Sequence, residues 1–493
     1  MTLISDKPAN DDSSVVAEAV QAPKGGRWID HWEPEDPEFW ETTGKKVARR
    51  NLWFSVFAEN IGFSVWVLFS VLVTQMGNAG FAFMQGDQAV NNGLILVSIP
   101  VLVGAAMRIP YTFAVTTFGG RAFTTFSAGM LLIPTLGLAV AFTQPTTPMW
   151  VFMILAALAG FGGGNFSSSM ANISFFFPES KKGAALGINA AGGNLGVAVT
   201  QLAIPLVIAF GLFLSASDPA GYRFALVLSS LFWVPFIVAA ALGAWLRMDS
   251  LSNAKPDGES YALAMRNRNT WIMAFLYIGT FGSFIGFSFA FPTLIRANFP
   301  DLQNIGIMVA LGNLAFLGAL VGSFSRPFGG WLADRIGSGA RLTALVFVGL
   351  AFGVAAIMAS LAIGSFALYL LSFIVLFVIT GIGNGSTYRM IPTIFAASAR
   401  SNAEANGHSF KEATASGKRQ AGAAIGMIGA VGAFGGFILQ QALRLSNVHL
   451  GTMAPAFWAY AGIFLLMAGV TWWFYLRTSF AISRAPSMAY AQA

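Results

Sequence analysis

Cysteine is absent from this 493-residue chain. That excludes disulfide scaffolds, cysteine metal sites and thiol catalysis. Histidine is nearly absent too. His31, His408 and His449 are all there is, which leaves little for a histidine-based catalytic centre. Charge is scarce: Asp, Glu, Lys and Arg make up 10% of the chain, against about 25% in a soluble domain. A soluble chain of this length would divide into about two or three cores with charged surfaces between them, and too little charge is present to coat them. Sequences of the HExxH, GxSxG and Walker types are missing as well, so enzyme readings are poor. The chain is instead apolar, at 56% hydrophobic and 14% aromatic residues with a mean hydropathy of +0.66. The pI near 9.7 does not point to nucleic acid, because the excess charge is spread thinly between apolar stretches. Basic loops on a polytopic membrane protein account for it better.

Residues 1–50 differ from the rest. Met1 to Gly26 is rich in Asp, Ser, Ala and Pro and contains no apolar run. It is expected to be a disordered tail, not a signal peptide. RWIDHWEPEDPEFW, from Arg27 to Trp40, is acidic and aromatic and reads as a short helix or loop on the cytoplasmic face. Lys45, Lys46, Arg49 and Arg50 then form a basic collar. A membrane span needs about 20 apolar residues, and twelve candidates follow: 51–76, 92–116, 122–143, 149–176, 184–213, 223–246, 270–292, 306–330, 340–363, 366–390, 421–443 and 455–477. The expected division is a cytoplasmic tail (1–50), a six-helix half (51–246), a cytoplasmic linker (247–269), a second six-helix half (270–477) and a cytoplasmic tail (478–493). Lys and Arg crowd the loops on one side, while Arg223, Arg296 and Arg444 fall on the other. By the positive-inside rule the crowded side is cytoplasmic and holds both termini.

The two halves share a pattern. Arg108 in span 2 lies eleven residues before Gly119, and Arg326 in span 8 lies eleven before Gly337. Eleven helical residues rise about 16 Å, which sets each Arg near the bilayer midplane. Paired halves with a midplane site match the layout of a rocker-switch carrier. A buried cation needs a cavity or a partner. Yet every Asp and Glu except Glu59 falls in a tail, a loop or the hinge motif. Two Arg against one Glu leave uncompensated positive charge, and a bound anion is the natural partner. Arg in place of Lys offers a planar fork of donors suited to a small, flat oxyanion. The residues alone leave bicarbonate, nitrate, nitrite and small carboxylates open.

GGWLADRIGSGAR, from Gly329 to Arg341, resembles the loop motif of the major facilitator superfamily, with Asp334 and Arg335 at the hinge. The first-half counterpart, FGGRAF, lacks the Asp. The stretch from Gly160 to Gln201, containing GFGGGNFSSSMANISFFFPESKKGAALGINAAGGNLG, resembles the nitrate signature of the nitrate/nitrite porter family. GIGNGSTYRMIPTIF, from Gly381 to Phe395, is similar to that family's second signature, and WEPEDPEFW, RIPY and LYIGTFGSFIGFS extend the likeness over nearly the whole chain. The resemblance implies an all-α membrane protein with the twelve-helix major facilitator fold. It implies a multi-pass carrier of the plasma (inner) membrane that serves nitrate assimilation, with nitrate and nitrite as cargo. By resemblance, Arg108 and Arg326 bind the anion, Asn194 donates to it, and Phe63, Phe166, Tyr277 and Phe281 line or close the site. Helix packing is the competing reading for the aromatic residues. Gly183, Gly192 and Gly196 of span 5, and Gly429, Gly432 and Gly436 of span 11, sit where backbones could approach and slide. No cofactor, metal or nucleic acid is expected; the chain should be a monomer in membrane lipid.

Exchange of nitrate for nitrite is the leading expectation, since an uncompensated Arg pair resists closure without an anion. Proton-coupled nitrate symport is the alternative, with Glu59 as the proton site; otherwise Glu59 pairs with a collar residue. A passive anion channel or nitrate sensor is a remote third possibility.

Overall fold

The computed structural model describes residues 27–254, 258–304, 306, 311–406, 410–479 and 487–491. Residues 1–26 of the N-terminal tail, linker residues 255–257, residues 307–310 at the expected start of span 8, and residues 480–486 and 492–493 of the C-terminal tail lie outside them. The chain is almost entirely helical. The spanning helices are α1 (Lys45–Met76), α2 (Ala89–Phe118), α3 (Gly120–Thr143), α4 (Met149–Phe176), α5 (Glu179–Leu214) and α6 (Pro219–Arg247), followed by α7 (Arg268–Asn298), α8 (Phe316–Ile336), α9 (Gly339–Ile363), α10 (Phe366–Asn406), α11 (Phe410–Leu450) and α12 (Ala454–Leu476). Eleven of them, among the described residues, are long and apolar enough to cross a membrane. The exception, α8, occupies the expected eighth span, but its 21 described residues include Arg326, Pro327 and five glycines or serines from Gly322 to Gly330 that dilute its hydropathy.

The apolar composition explains why these segments are helices. In lipid a backbone must satisfy its own hydrogen bonds, and a helix does so within one segment. Two helices are central: the apolar windows of α1 and α7 are each 83% buried, against 56% or less for the others. They bring Phe63, Trp66, Tyr277 and Phe281 into the core. Around them α2 packs on α4 and α11, α5 on α1 and α8, and α10 on α8 and α9. Glycine permits the closest crossings. At Gly162 a side chain would strike the Gly62 carbonyl, and at Gly282 a Cβ would lie 2.7 Å from the Gly432 carbonyl.

The acidic, aromatic segment before α1 is docked on the basic end of the bundle. Trp28–Ile29 (β1) pairs in parallel with Ser250–Leu251 (β2), directly after α6. Gly119 turns beneath this pair at a φ of +83°, and a Cβ there would lie 2.7 Å from the Trp28 ring. Asp249 ties the corner together. It accepts from Arg27 at 3.1 Å, Arg50 at 2.5 Å and Asn51 at 2.9 Å, and its own N–H donates to Asn51 at 2.8 Å. Trp32 donates to the Phe175 carbonyl at 3.1 Å and packs on Phe176.

Two Arg and one Asn converge on a single carboxylate that is 6% exposed. Removing it leaves those donors unpaired. Asp249→Ala should therefore cost on the order of 2 kcal/mol and lower the melting midpoint of the detergent-solubilised protein. An unchanged midpoint would show that the N-terminal segment docks without this corner.

Candidate functional site

Arg108 and Arg326 enter the core from α2 and α8. Prolines follow closely, Pro110 and Pro327, each removing a helix hydrogen bond one turn back. Arg108 is fully buried, and Nη1 donates to the Gly429 carbonyl of α11 at 3.1 Å. Its guanidinium carbon lies 4.6 Å from the Phe166 ring centroid, 4.9 Å from Phe281 and 5.8 Å from Trp66. Arg326 is 8% exposed. Its Nη2 meets the Tyr277 hydroxyl at 3.4 Å, and its guanidinium carbon lies 5.2 Å from Tyr388 and 5.9 Å from Phe166. Both cations thus approach the ring of Phe166, which places the two guanidinium groups in one aromatic chamber. A cation over an aromatic face gains about 0.5–2 kcal/mol, which offsets only part of its desolvation.

The chamber wall is continuous. Phe63 packs 6.3 Å from Phe166, Phe166 lies 6.4 Å from Phe281, and Phe281 stacks on Tyr277 at 5.2 Å with 13° between the rings. A π-helical turn, Ile278–Gly282, interrupts α7 beside Tyr277; such turns recur at functional sites. The chamber also has an excess of polar atoms without partners among the described residues. Arg108 Nε and Nη2, Arg326 Nη1 and the Tyr388 hydroxyl are all buried and unpaired; both side-chain polar atoms of Asn194 on α5 are likewise buried and unpaired, with no contact that ties them to the chamber. An unpaired buried polar group costs about 1–3 kcal/mol. Most of these atoms are donors, so the arrangement suits a compact acceptor of negative charge.

Glu59 does not pair with the basic collar. Arg50 is engaged by Asp249 and Lys45 by Glu41, while Glu59 lies nine residues beyond Arg50 along α1. That is a rise of about 13 Å, which removes it from the interface. The side chain is 1% exposed. Its Oε2 accepts from Ser169 Oγ of α4 and from Asn189 Nδ2 of α5, the latter at 2.6 Å.

Five of the six expected close-approach glycines abut a neighbour. A side chain at Gly192 would meet Val56, at Gly196 the Asn60 carbonyl, at Gly432 the Tyr277 ring, and at Gly436 Gly286 N at 3.1 Å; Gly429 faces Arg108 Nη1 at 3.9 Å. Gly183 is different. It is exposed near the basic end of α5, and a Cβ there meets nothing within 4 Å. Asp334 accepts from Arg389 Nε, tying α8 to α10, and Arg335 lies over Trp331 at 5.4 Å. The sequence reading missed Trp66, Tyr388, the Gly429 carbonyl and the Ser169–Asn189 pair. Tyr388 carried a usable signal, a phenol within an apolar span inside GIGNGSTYRM.

Comparison with known proteins places this architecture in a superfamily of transporters. The profile of the Major Facilitator Superfamily matches residues 52–439. An inward-open structure of the Escherichia coli xylose transporter XylE, partially occluded, shares the fold at a TM-score of 0.61 and 13% identity, over 89% of this chain and all of that one. Two relatives are much closer in sequence. The nitrate/nitrite transporter NarU of Salmonella typhimurium is 39% identical over 91% of this chain and 96% of its own length. The probable nitrate/nitrite antiporter NarK2 of Thermus thermophilus is 33% identical over 92% and 97%. The chain belongs to the nitrate/nitrite porter family of the major facilitator superfamily.

The glycine contacts separate two substitutions. Gly432→Ala forces a methyl group against the Tyr277 ring and should destabilise the purified protein by about 1–3 kcal/mol. Gly183→Ala enters open space on a helix and should be neutral or stabilising by up to about 1 kcal/mol. Thermal unfolding in detergent compares them. Equal midpoints would mean that the α7–α11 contact is not tight.

Proposed function

We propose that this chain is a secondary carrier that exchanges nitrate for nitrite by alternating access. Residues 51–246 and 270–477 form the two rocking halves. The observation that carries the reading is the chamber: two buried guanidinium groups from opposite halves, facing the same Phe166 ring, with unpaired donors left over. The two relatives reported above are a nitrate/nitrite transporter and a probable nitrate/nitrite antiporter, and both anions fit the chemistry. Each is small, flat and singly charged, and each offers oxygen acceptors to a guanidinium fork.

In this reading Arg108 and Arg326 clamp the anion from the two sides. Phe63, Phe166 and Phe281 keep the chamber dry, which strengthens the attraction. Asn194 supplies an amide, and Tyr277 steers Arg326 through its hydroxyl. Because the clamp arms belong to different halves, the anion bridges the surfaces that must close on it. Without an anion, two like charges are brought together in a low-dielectric core, and closure is costly. A carrier that closes only when loaded is an exchanger. Gly192, Gly196, Gly429, Gly432 and Gly436 would let helices slide during the transition, and the Asp334–Arg389 contact would be remade at the hinge.

Reconstituted vesicles test this reading. Labelled nitrate should enter rapidly when the lumen holds nitrite and slowly when it is empty. Arg108→Lys and Arg326→Lys keep the charge but lose the fork, and each should cut exchange at least about 100-fold, as expected for about 3 kcal/mol of charge-assisted bonding. Near-normal uptake by either variant would sink the clamp. Fast uptake into an empty lumen, driven by a proton gradient, would favour symport.

A further inference from the structure

We propose that the Tyr388 hydroxyl donates directly to the bound anion and favours nitrate over nitrite, because it serves the one oxygen that nitrite lacks. This rests on the reading of Arg108 and Arg326 as the anion clamp.

Tyr388 reaches the chamber from α10, inside the stretch GIGNGSTYRM. The guanidinium carbon of Arg326 lies over its ring, 5.2 Å from the centroid, and the Tyr277 ring lies 6.3 Å away. The hydroxyl hangs from the rim of that ring, so it stays within a ring's reach of the Arg326 cation. It is buried and has no partner among the described residues. Its neighbours on the helix are provided for. Ser386 donates to the Gly383 carbonyl at 3.1 Å, and Thr387 to the same carbonyl at 2.6 Å. A short side chain can fold back one turn in this way. A phenol cannot, since the rigid ring carries its hydroxyl away from the parent helix. The Tyr277 hydroxyl is engaged too, accepting from Arg326. Tyr388 thus brings a neutral donor beside the clamp, and a buried hydroxyl needs an acceptor.

Donor geometry then separates the two anions. Charge cannot, because nitrate and nitrite each carry one. Arg108 engages the Gly429 carbonyl through Nη1, which leaves Nε and Nη2 unpaired. Those two nitrogens form one edge of the guanidinium and direct parallel N–H bonds, the pairing that takes two oxygens of a flat anion. Nitrite has two oxygens, and this edge holds both. Nitrate has a third, which points away from the edge, toward the opposite arm of the clamp. The unpaired donors on that side are Arg326 Nη1 and the Tyr388 hydroxyl. Arg326 attracts either anion by its charge. A hydroxyl acts only over hydrogen-bond distance, on an acceptor placed to receive it, so its contribution falls on nitrate. A site built to bond one polar atom discriminates against the analogue that lacks it. Tyr388 is therefore a specificity-determining residue. It tightens the hold on the three-oxygen anion and leaves the two-oxygen anion easier to release.

Calorimetric titration of the full-length protein in detergent, with sodium nitrate and sodium nitrite as separate titrants, tests this role. The unmodified protein should bind nitrate more tightly, and a reversed order would overturn the proposal before any substitution is made. Tyr388→Phe keeps the ring beside Arg326 and removes the hydroxyl alone. Its Kd for nitrate should rise about tenfold or more, as for a lost hydrogen bond to a charged acceptor, while its Kd for nitrite should change by less than about twofold. A ratio of the two Kd values that stays constant in this variant would refute the idea. That holds whether both affinities persist or both fall together, the second case making Tyr388 a packing residue. Tyr277→Phe supplies the contrast: it releases Arg326 and should weaken both anions alike. The clamp fails on different evidence. If Arg108→Lys or Arg326→Lys binds both anions normally, the clamp is lost and this inference with it. If those variants fail to bind while Tyr388→Phe keeps its nitrate preference, the clamp stands and only the role of Tyr388 falls.

Discussion

Two guanidinium groups buried beside one phenylalanine ring are the constraint around which this protein is organised. Arg108 and Arg326 arrive from α2 and α8, and their guanidinium carbons lie 4.6 and 5.9 Å from the centre of the Phe166 ring. Neither has a carboxylate partner within salt-bridge distance among the described residues. Such an arrangement is unfavourable in an apolar core, so the surrounding structure has to contain it. Aromatic faces take part of the field. The Gly429 carbonyl and the Tyr277 hydroxyl take one donor each, and Arg108 Nε and Nη2 and Arg326 Nη1 have no partner among the described residues. A protein that holds this strain in its centre is built for something that arrives from outside the chain.

The glycines follow from the same constraint. Large side chains lining the chamber need the helices behind them to come close, and close crossings need small residues. At Gly163 a Cβ would lie 2.6 Å from Trp66 Cε2, and at Gly104 the same distance from Trp66 Nε1. The indole occupies what would otherwise be side-chain space on two neighbouring helices, and it is anchored by a 2.7 Å hydrogen bond to the Pro100 carbonyl. Gly432 does the same for Tyr277. Aromatic wall and glycine backing are one design, and a change in either moves the rings that face the cations.

Much of this was legible in the sequence. The spans announced themselves by length and hydropathy, because a lipid-crossing helix has few compositional alternatives. The Arg pair stood out because each residue sits eleven before a glycine in the corresponding span of its half. What escaped had no local signature. Ser169 and Asn189 lie in runs of small and polar residues that look alike, and nothing nearby marks them as partners of Glu59, 110 and 130 positions away. The expected pairing of Glu59 with the collar failed because nearness along a helix is not nearness in space. The pairing of Trp28–Ile29 with Ser250–Leu251 spans 222 positions, and only the folded chain brings those segments together. Composition marked Arg27 to Trp40 as distinct but could not say what it gripped.

The placement of hydrogen bonds between residues 51–246 and 270–477 adds the last step. Below the chamber, toward the basic end, sits Glu59 with Ser169 and Asn189. Toward the opposite end, Gln201 donates to the Ser288 carbonyl at 2.6 Å, Gln441 to Ser98 at 2.7 Å, Asn447 to Asn91 at 2.9 Å and Arg296 to Asn78 at 3.4 Å. These are amides, a hydroxyl, a carbonyl and one half-buried cation, Arg296, and most are neutral groups. Neutral bonds of this kind contribute about 0.5–1.5 kcal/mol each. That is enough in sum to hold one end shut, yet each can be exchanged for water when the helices part. A latch made of buried ion pairs would lack that property, since separating them exposes charge at high cost. On the exchange proposed above, strong charge at the centre and weak, replaceable contacts at the rim would together make a bundle whose closure is decided by what occupies the chamber.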